Sequence, residues 1–102
     1  MLVRWTREAL KDLDEAIAYI AENDREAAKD IANAIKAAAK SLGKLPNRGR
    51  PGFVEGTREF LVPKLSYFFV YWIQQEQVEI LRLMHFSQKW PRLVRGAGSA
   101  VP

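Results

Sequence analysis

Apolar positions along this chain change period once, from steps of three and four before residue 45 to steps of two after residue 56. Leu10, Leu13, Ile17 and Ile20, with Ala9 and Ala16 beside them, fall on one helical face. Thr6 stands just ahead of that stripe and reads as an N-cap, its hydroxyl accepting from a free amide of the first turn. Asn23 and Asp24 end this helix and cap a second. There Ala28, Ile31, Ala34 or Ile35, Ala38 and Leu42 form the next stripe, closed by Gly43 and Pro46. So short a break between two helices predicts an antiparallel hairpin. The alanine-rich face of the second lets a neighbour approach closely.

Leu2 to Trp5 is short and apolar enough for a first strand. Beyond Gly56, stretches 57–62, 67–73 and 78–85 are rich in β-branched and aromatic residues, with short connectors at 63–66 and 74–77. Connectors of that length predict an antiparallel meander. Both parities of the central stretch are apolar, so that strand is expected to be covered on both faces. The predicted order is βααβββ: an α+β domain over residues 1–91, with a helical hairpin packed on a small, mainly antiparallel four-stranded sheet. The remainder, RLVRGAGSAVP over 92–102, has no period and is expected to be flexible.

Between the two regimes lies LPNRGRPGFVEGTREFLV, residues 45–62, with three arginines, three glycines and two prolines. With a helix stop before it and a strand start within it, the segment reads as a built corner and not a slack tether. It is expected to hold Arg48 and Arg50 on an exposed rim and to deliver Arg58 to the sheet edge.

Composition narrows the chemistry. A chain of 102 residues, 48% hydrophobic and 27% charged, is one ordinary globular domain. There is no cysteine, which removes disulfides, zinc knuckles and thiol nucleophiles. The amino-terminal residues lack the apolar core of a signal peptide and no stretch is long enough to span a bilayer, so a cytoplasmic protein without a membrane partner is expected. Eight basic and eight acidic residues cancel over 1–45, so the whole net charge of +4 lies in 46–102. A basic half invites an anionic partner. No glycine-rich loop opens a helix, and Asp12, Asp14 and Glu15 lack companions at metal-ligand spacing, so neither a nucleotide, a metal nor any other cofactor is expected.

Several features in order resemble one family. The leading strand, the alanine-rich hairpin, GRPG shortly before GTRE, and VEILRLMH followed by Trp90-Pro91 are similar to the ParE/RelE superfamily of bacterial toxins. The resemblance covers residues 1 to about 91. It implies a toxin of a type II toxin–antitoxin system, of the kind that serves plasmid stabilization, bound and silenced by a cognate antitoxin and reaching operator DNA only through it. The RelE-like branch cleaves mRNA, commonly on the ribosome. The ParE-like branch poisons DNA gyrase. A third possibility is a degenerate toxin that acts only in antitoxin binding and operon autoregulation.

Metal-free RNA cleavage needs a base for the 2′-hydroxyl, an acid for the leaving oxygen and cations for the phosphorane. The candidates for that chemistry are Arg58, Tyr71, Arg82 and the single histidine, His85. The nuclease branch tends to carry arginine in the central strand, in a pattern like G-Y-R-L-V-Y. Residues 66–71 here are Ser-Tyr-Phe-Phe-Val-Tyr, with phenylalanine where that arginine would stand. Basic residues expected just past the last strand are replaced by Phe86-Ser87-Gln88. Both departures favour the ParE-like branch, for which no catalytic residue is assigned. Candidates for contact with target or antitoxin are Arg48, Arg50, Arg58, Arg82, His85, Lys89 and Trp90. The structural alternatives are an Arg58 paired with Glu59 or Glu79, an Arg82 whose stem packs on the sheet with its head in solvent, a hydrogen-bonded strand-end His85, and aromatics that mostly fill the core.

Overall fold

The computed structural model describes residues 1–87. β1 (Leu2–Trp5) leads into α1 (Arg7–Ala21) and α2 (Arg25–Lys44); β2 (Arg50–Pro51), β3 (Arg58–Leu61), β4 (Tyr67–Gln74) and β5 (Gln77–His85) follow. Thr6 caps α1 as expected, its Oγ1 accepting from Ala9 N–H at 3.1 Å. Asp24 does the same for α2 through Ala27 N–H at 3.0 Å. Gly43 does not end its helix but lies inside the last turn. A Cβ there would come within 2.5 Å of the Met1 carbonyl oxygen, and the amino terminus donates to the Gly43 carbonyl at 2.8 Å. The glycine therefore serves the close approach of β1 and not the helix stop.

The sheet order is β1-β5-β4-β3-β2. β1 runs parallel to β5 and every other pairing is antiparallel. The fold is the predicted α+β arrangement, and the sheet has five strands where four were expected. The extra one is β2, two residues of the corner that pair with Arg58 and Glu59. A two-residue turn with Gln75 and Glu76 both at positive φ joins β4 to β5, the backbone that a tight hairpin with right-handed strand twist requires.

One face of the sheet is covered by the helices. Ala9, Leu13, Ile35, Ala38, Ala39 and Leu42 pack against Phe69, Tyr71, Val78, Ile80 and Leu83, with Trp5 edge-on to Phe69. Leu10, placed on the buried stripe by its spacing, is exposed. The reverse face buries Val70 and Met84 among Val54, Phe68 and Leu81, which accounts for the two apolar parities of β4.

A bulge decides what the far half of β5 presents. Tyr71 pairs with Ile80 and Val70 with Arg82, so the register skips Leu81. Val78 and Ile80 face the helices before the bulge, and Leu83 does so after it. Such an insertion re-aims side chains beside it, and Arg82 is the residue re-aimed.

Candidate functional site

The corner between helices and sheet is tied together by its own polar groups. Tyr71, fully buried on β4, donates its hydroxyl to the Pro46 carbonyl at 2.7 Å and accepts from Gly49 N–H at 3.0 Å. Burial, partly opposed by the Gly49 bond and by Arg58 and Arg48, raises its phenol above the usual range. Arg58 donates to the Gly49 carbonyl at 2.7 Å and the Asn47 carbonyl at 3.2 Å. It pairs with neither Glu59 nor Glu79, because both carboxylates are taken. Glu59 accepts from Arg50 at 3.2 Å and from Phe53 N–H at 3.4 Å. Glu79 accepts from the Trp72 indole at 2.6 Å, with Arg4 at 3.8 Å. Beyond Pro51, Thr57 closes the loop, its Oγ1 donating to the Val54 carbonyl at 2.6 Å, while Gly56 supplies the positive φ.

Arg48 lies across the face of Phe60, 4.6 Å from the ring centroid, and donates to Ser41 Oγ at 3.1 Å. It borders a shallow apolar groove between α2 and β3, lined by Ala34, Ala37, Ala38 and Phe60. Ala34 and Ala37 sit on the exposed side of the helix, so the alanine-rich surface extends beyond what the sheet covers.

Across the sheet from the corner, on β5, Arg82 meets α1. Its Nε and Nη2 donate to Asp12 Oδ2 and Oδ1 at 2.7 and 3.0 Å, and Leu83 N–H donates to the same carboxylate at 3.0 Å. The two side chains are 31% and 12% exposed. The bonds to Asp12 raise the guanidinium pKa further, against the opposing effect of burial. β1 has ended by this point, so β5 lacks a neighbour on that edge. Side chains of the helix entry replace it: Asp12 takes the Leu83 amide and Thr6 donates to the Leu81 carbonyl at 3.1 Å. Neither a solvated head nor a bare cation describes Arg82.

His85 ends β5. Its Nδ1 accepts from Ser87 N–H at 3.0 Å, which puts the proton of a neutral ring on Nε2, and the ring stands edge-on to Tyr67 at 5.0 Å. Both border a cleft of about 440 Å³ between α1 and the ends of β4 and β5, shared with Asp12, Glu15, Tyr19 and Ser87. Burial, then the neighbouring Tyr19, raises the Tyr67 phenol.

The candidates therefore divide between two places. Arg48, Arg50, Arg58 and Tyr71 form the corner; Arg82 and His85 belong to the α1–β5 end. Lys89 and Trp90, like the 92–102 tail, lie outside the described residues. Sequence reasoning missed Asp12, which it weighed only as a metal ligand. The signal was present: Glu8, Asp12 and Glu15 repeat at one helical face, and all three act electrostatically on Arg82. Among the described residues no group of three His, Cys, Asp or Glu side chains converges, and no helix is long and apolar enough to cross a membrane.

Residues 3–90 match the model of the ParE toxin of the type II toxin–antitoxin system parDE. The chain is 40% identical to Y4kP of Sinorhizobium fredii over 92 residues, 90% of this chain and 95% of that protein. In structure it is similar to a chain of the chromosomal ParDE system of P. aeruginosa, with a TM-score of 0.76 and 27% identity, covering 83% of this chain and 95% of the other. It is also similar to a chain of the RelBE2 toxin–antitoxin complex of Mycobacterium tuberculosis, with a TM-score of 0.59 and 28% identity, covering 82% and 95%. The matched segment takes in both helices and all five strands, and on that ground the chain belongs to the ParE toxin family of type II toxin–antitoxin systems.

Proposed function

We propose that this toxin acts by binding and corrupting DNA gyrase, without cutting RNA, and that a cognate antitoxin holds it silent. The observation that carries the reading is the state of the α1–β5 cleft. The arginine at its edge, Arg82, is held by Asp12, and the charged side chains lining the cleft are the carboxylates of Asp12 and Glu15. Stabilising a phosphorane needs cations aimed at the developing charge, and carboxylates in that position repel it. Phe68 and Phe69 bring no cation to the central strand: one lies on the reverse face and the other is core. Arg58 and Tyr71 are spent on backbone groups of the corner.

An antitoxin partner is supported by the P. aeruginosa ParDE system and the RelBE2 complex, both of which pair a toxin with its antitoxin. The groove between α2 and β3, about 320 Å³ with Arg48 at its rim, suits an amphipathic helix bearing an acidic residue. β1, at the sheet edge, leaves backbone groups for an added strand. The rival reading, a RelE-like mRNA endonuclease built on His85, draws on the RelBE2 likeness.

Supercoiling and cleavage-complex assays with gyrase, run beside a ribosome-bound mRNA cleavage assay, decide between them. The expected result is inhibited supercoiling or trapped cleaved DNA with intact mRNA. Rapid codon-specific mRNA cleavage with unaffected gyrase would overturn the proposal.

A further inference from the structure

The cleft between α1 and the ends of β4 and β5 has a chemistry that the corner lacks. Its walls are the rings of Tyr19, Tyr67 and His85, and its lining charges are Asp12 and Glu15, with no lysine or arginine among the described lining residues. This stands out on a chain with a net charge of +4. Tyr19 is largely exposed. Tyr67 is half-buried, and neither phenol has a hydrogen-bond partner among the described residues. Glu15 likewise forms no ion pair among them. Asp12 spends its carboxylate on Arg82 and Leu83 N–H, so Glu15 is the carboxylate left to a ligand.

From these features we infer that the cleft is a receptor for the guanidinium of an arginine side chain on a partner peptide. An arginine head offers five N–H donors in a planar fork and no acceptor. The cleft offers acceptors: the Glu15 carboxylate and two phenol oxygens. Aromatic faces attract a cation lying over them, arginine more often than lysine. A phosphate or a nucleic-acid strand meets the Glu15 carboxylate there and is repelled. The volume, about 440 Å³, admits one long side chain with part of its backbone and falls within the usual range for small-ligand clefts. The inference stands apart from the gyrase reading, because neither gyrase nor antitoxin enters the site or its test.

The probe is Nα-acetyl-arginine amide, titrated into the full chain while the ring resonances of Tyr19 and Tyr67 are followed by NMR. The expected result is a saturable shift of both rings with a Kd in the millimolar range, on the order of a single-residue ligand. The citrulline analogue, equal in shape and uncharged, leaves the rings unmoved. Glu15→Gln and Tyr19→Ala, both at the helix surface, keep the fold, as checked by circular dichroism, and weaken binding roughly fivefold each. No saturable shift, an equal response to citrulline, an equal response to the lysine analogue, or preferential binding of inorganic phosphate would each overturn the inference.

Discussion

Asp12 and Arg82 stand 70 positions apart in sequence and meet through two hydrogen bonds of 2.7 and 3.0 Å that join the first helix to the last strand. The same carboxylate accepts the Leu83 amide, at the point where β5 has outrun its neighbour β1. One side chain therefore finishes the sheet edge and neutralises the guanidinium beside it.

Removing the carboxylate strands three N–H donors on two residues. Asp12→Ala is expected to cost about 2–3 kcal/mol, the range for a lost hydrogen bond to a charged group, because Arg82 keeps some access to water. Asp12→Asn, which retains an acceptor for Leu83, should cost less. A double-mutant cycle with Arg82→Ala, read by urea denaturation, is expected to give a coupling of about 1–2 kcal/mol. A coupling near zero would mean that the pair is incidental.

Tyr71 anchors the corner from inside the core. Tyr71→Phe leaves Gly49 N–H and the Pro46 carbonyl without their partner, and a loss of about 1–3 kcal/mol is expected, with faster hydrogen exchange at the Gly49 amide. The raised phenol pKa adds a pH signature. The folded chain holds this proton more tightly than the unfolded chain, so the contribution is whole below the ordinary phenol value of about 10. It is lost as pH rises through the raised folded-state value. Stability measured into the alkaline range should fall less steeply for Tyr71→Phe than for the parent. The part that remains is due in some measure to Tyr67, which is raised as well. Parallel alkaline limbs would contradict this assignment.

Gly49 tests whether the corner is built or slack. A Cβ at this position would sit 2.6 Å from the Tyr71 hydroxyl oxygen and 2.9 Å from the Glu59 carbonyl oxygen. Neither can retreat, the first being buried and the second part of β3. Gly49→Ala is expected to cost about 1–3 kcal/mol, visible as a Tm lowered by roughly 4 °C or more. Arg50→Ala, two bonds to Glu59 notwithstanding, should change stability by under about 0.5 kcal/mol, since the arginine is solvent-exposed. A tolerated Gly49→Ala would return the segment to the status of a loose linker.

The sequence by itself determined the parts that depend on near neighbours. Helix period, the Thr6 and Asp24 caps, the strand period and the short connectors are local preferences, and each appears where the spacing puts it. The double-sided apolar character of β4 was legible for the same reason, since alternation along one strand reports its two faces directly. Leu10 and Gly43 show the limit of that reading. A helical stripe defines a face but not how far the sheet extends beneath it, and a glycine near a helix end is also what a passing strand requires.

Only the tertiary structure decided which polar groups are spent. Arg58 bonds carbonyls 9 and 11 positions away, Tyr71 reaches back 25 positions, and Arg82 takes a partner from the first helix, 70 positions away. Nothing local selects those partners. The bulge at Leu81 shifts the register by one residue, which reverses the faces of the residues beyond it; Arg82 leaves the helix-covered face and meets Asp12 at the open edge of β5. An arginine in a strand is read from sequence as a cation in search of a role. Whether it remains one depends on a carboxylate that only chain folding brings within hydrogen-bond distance.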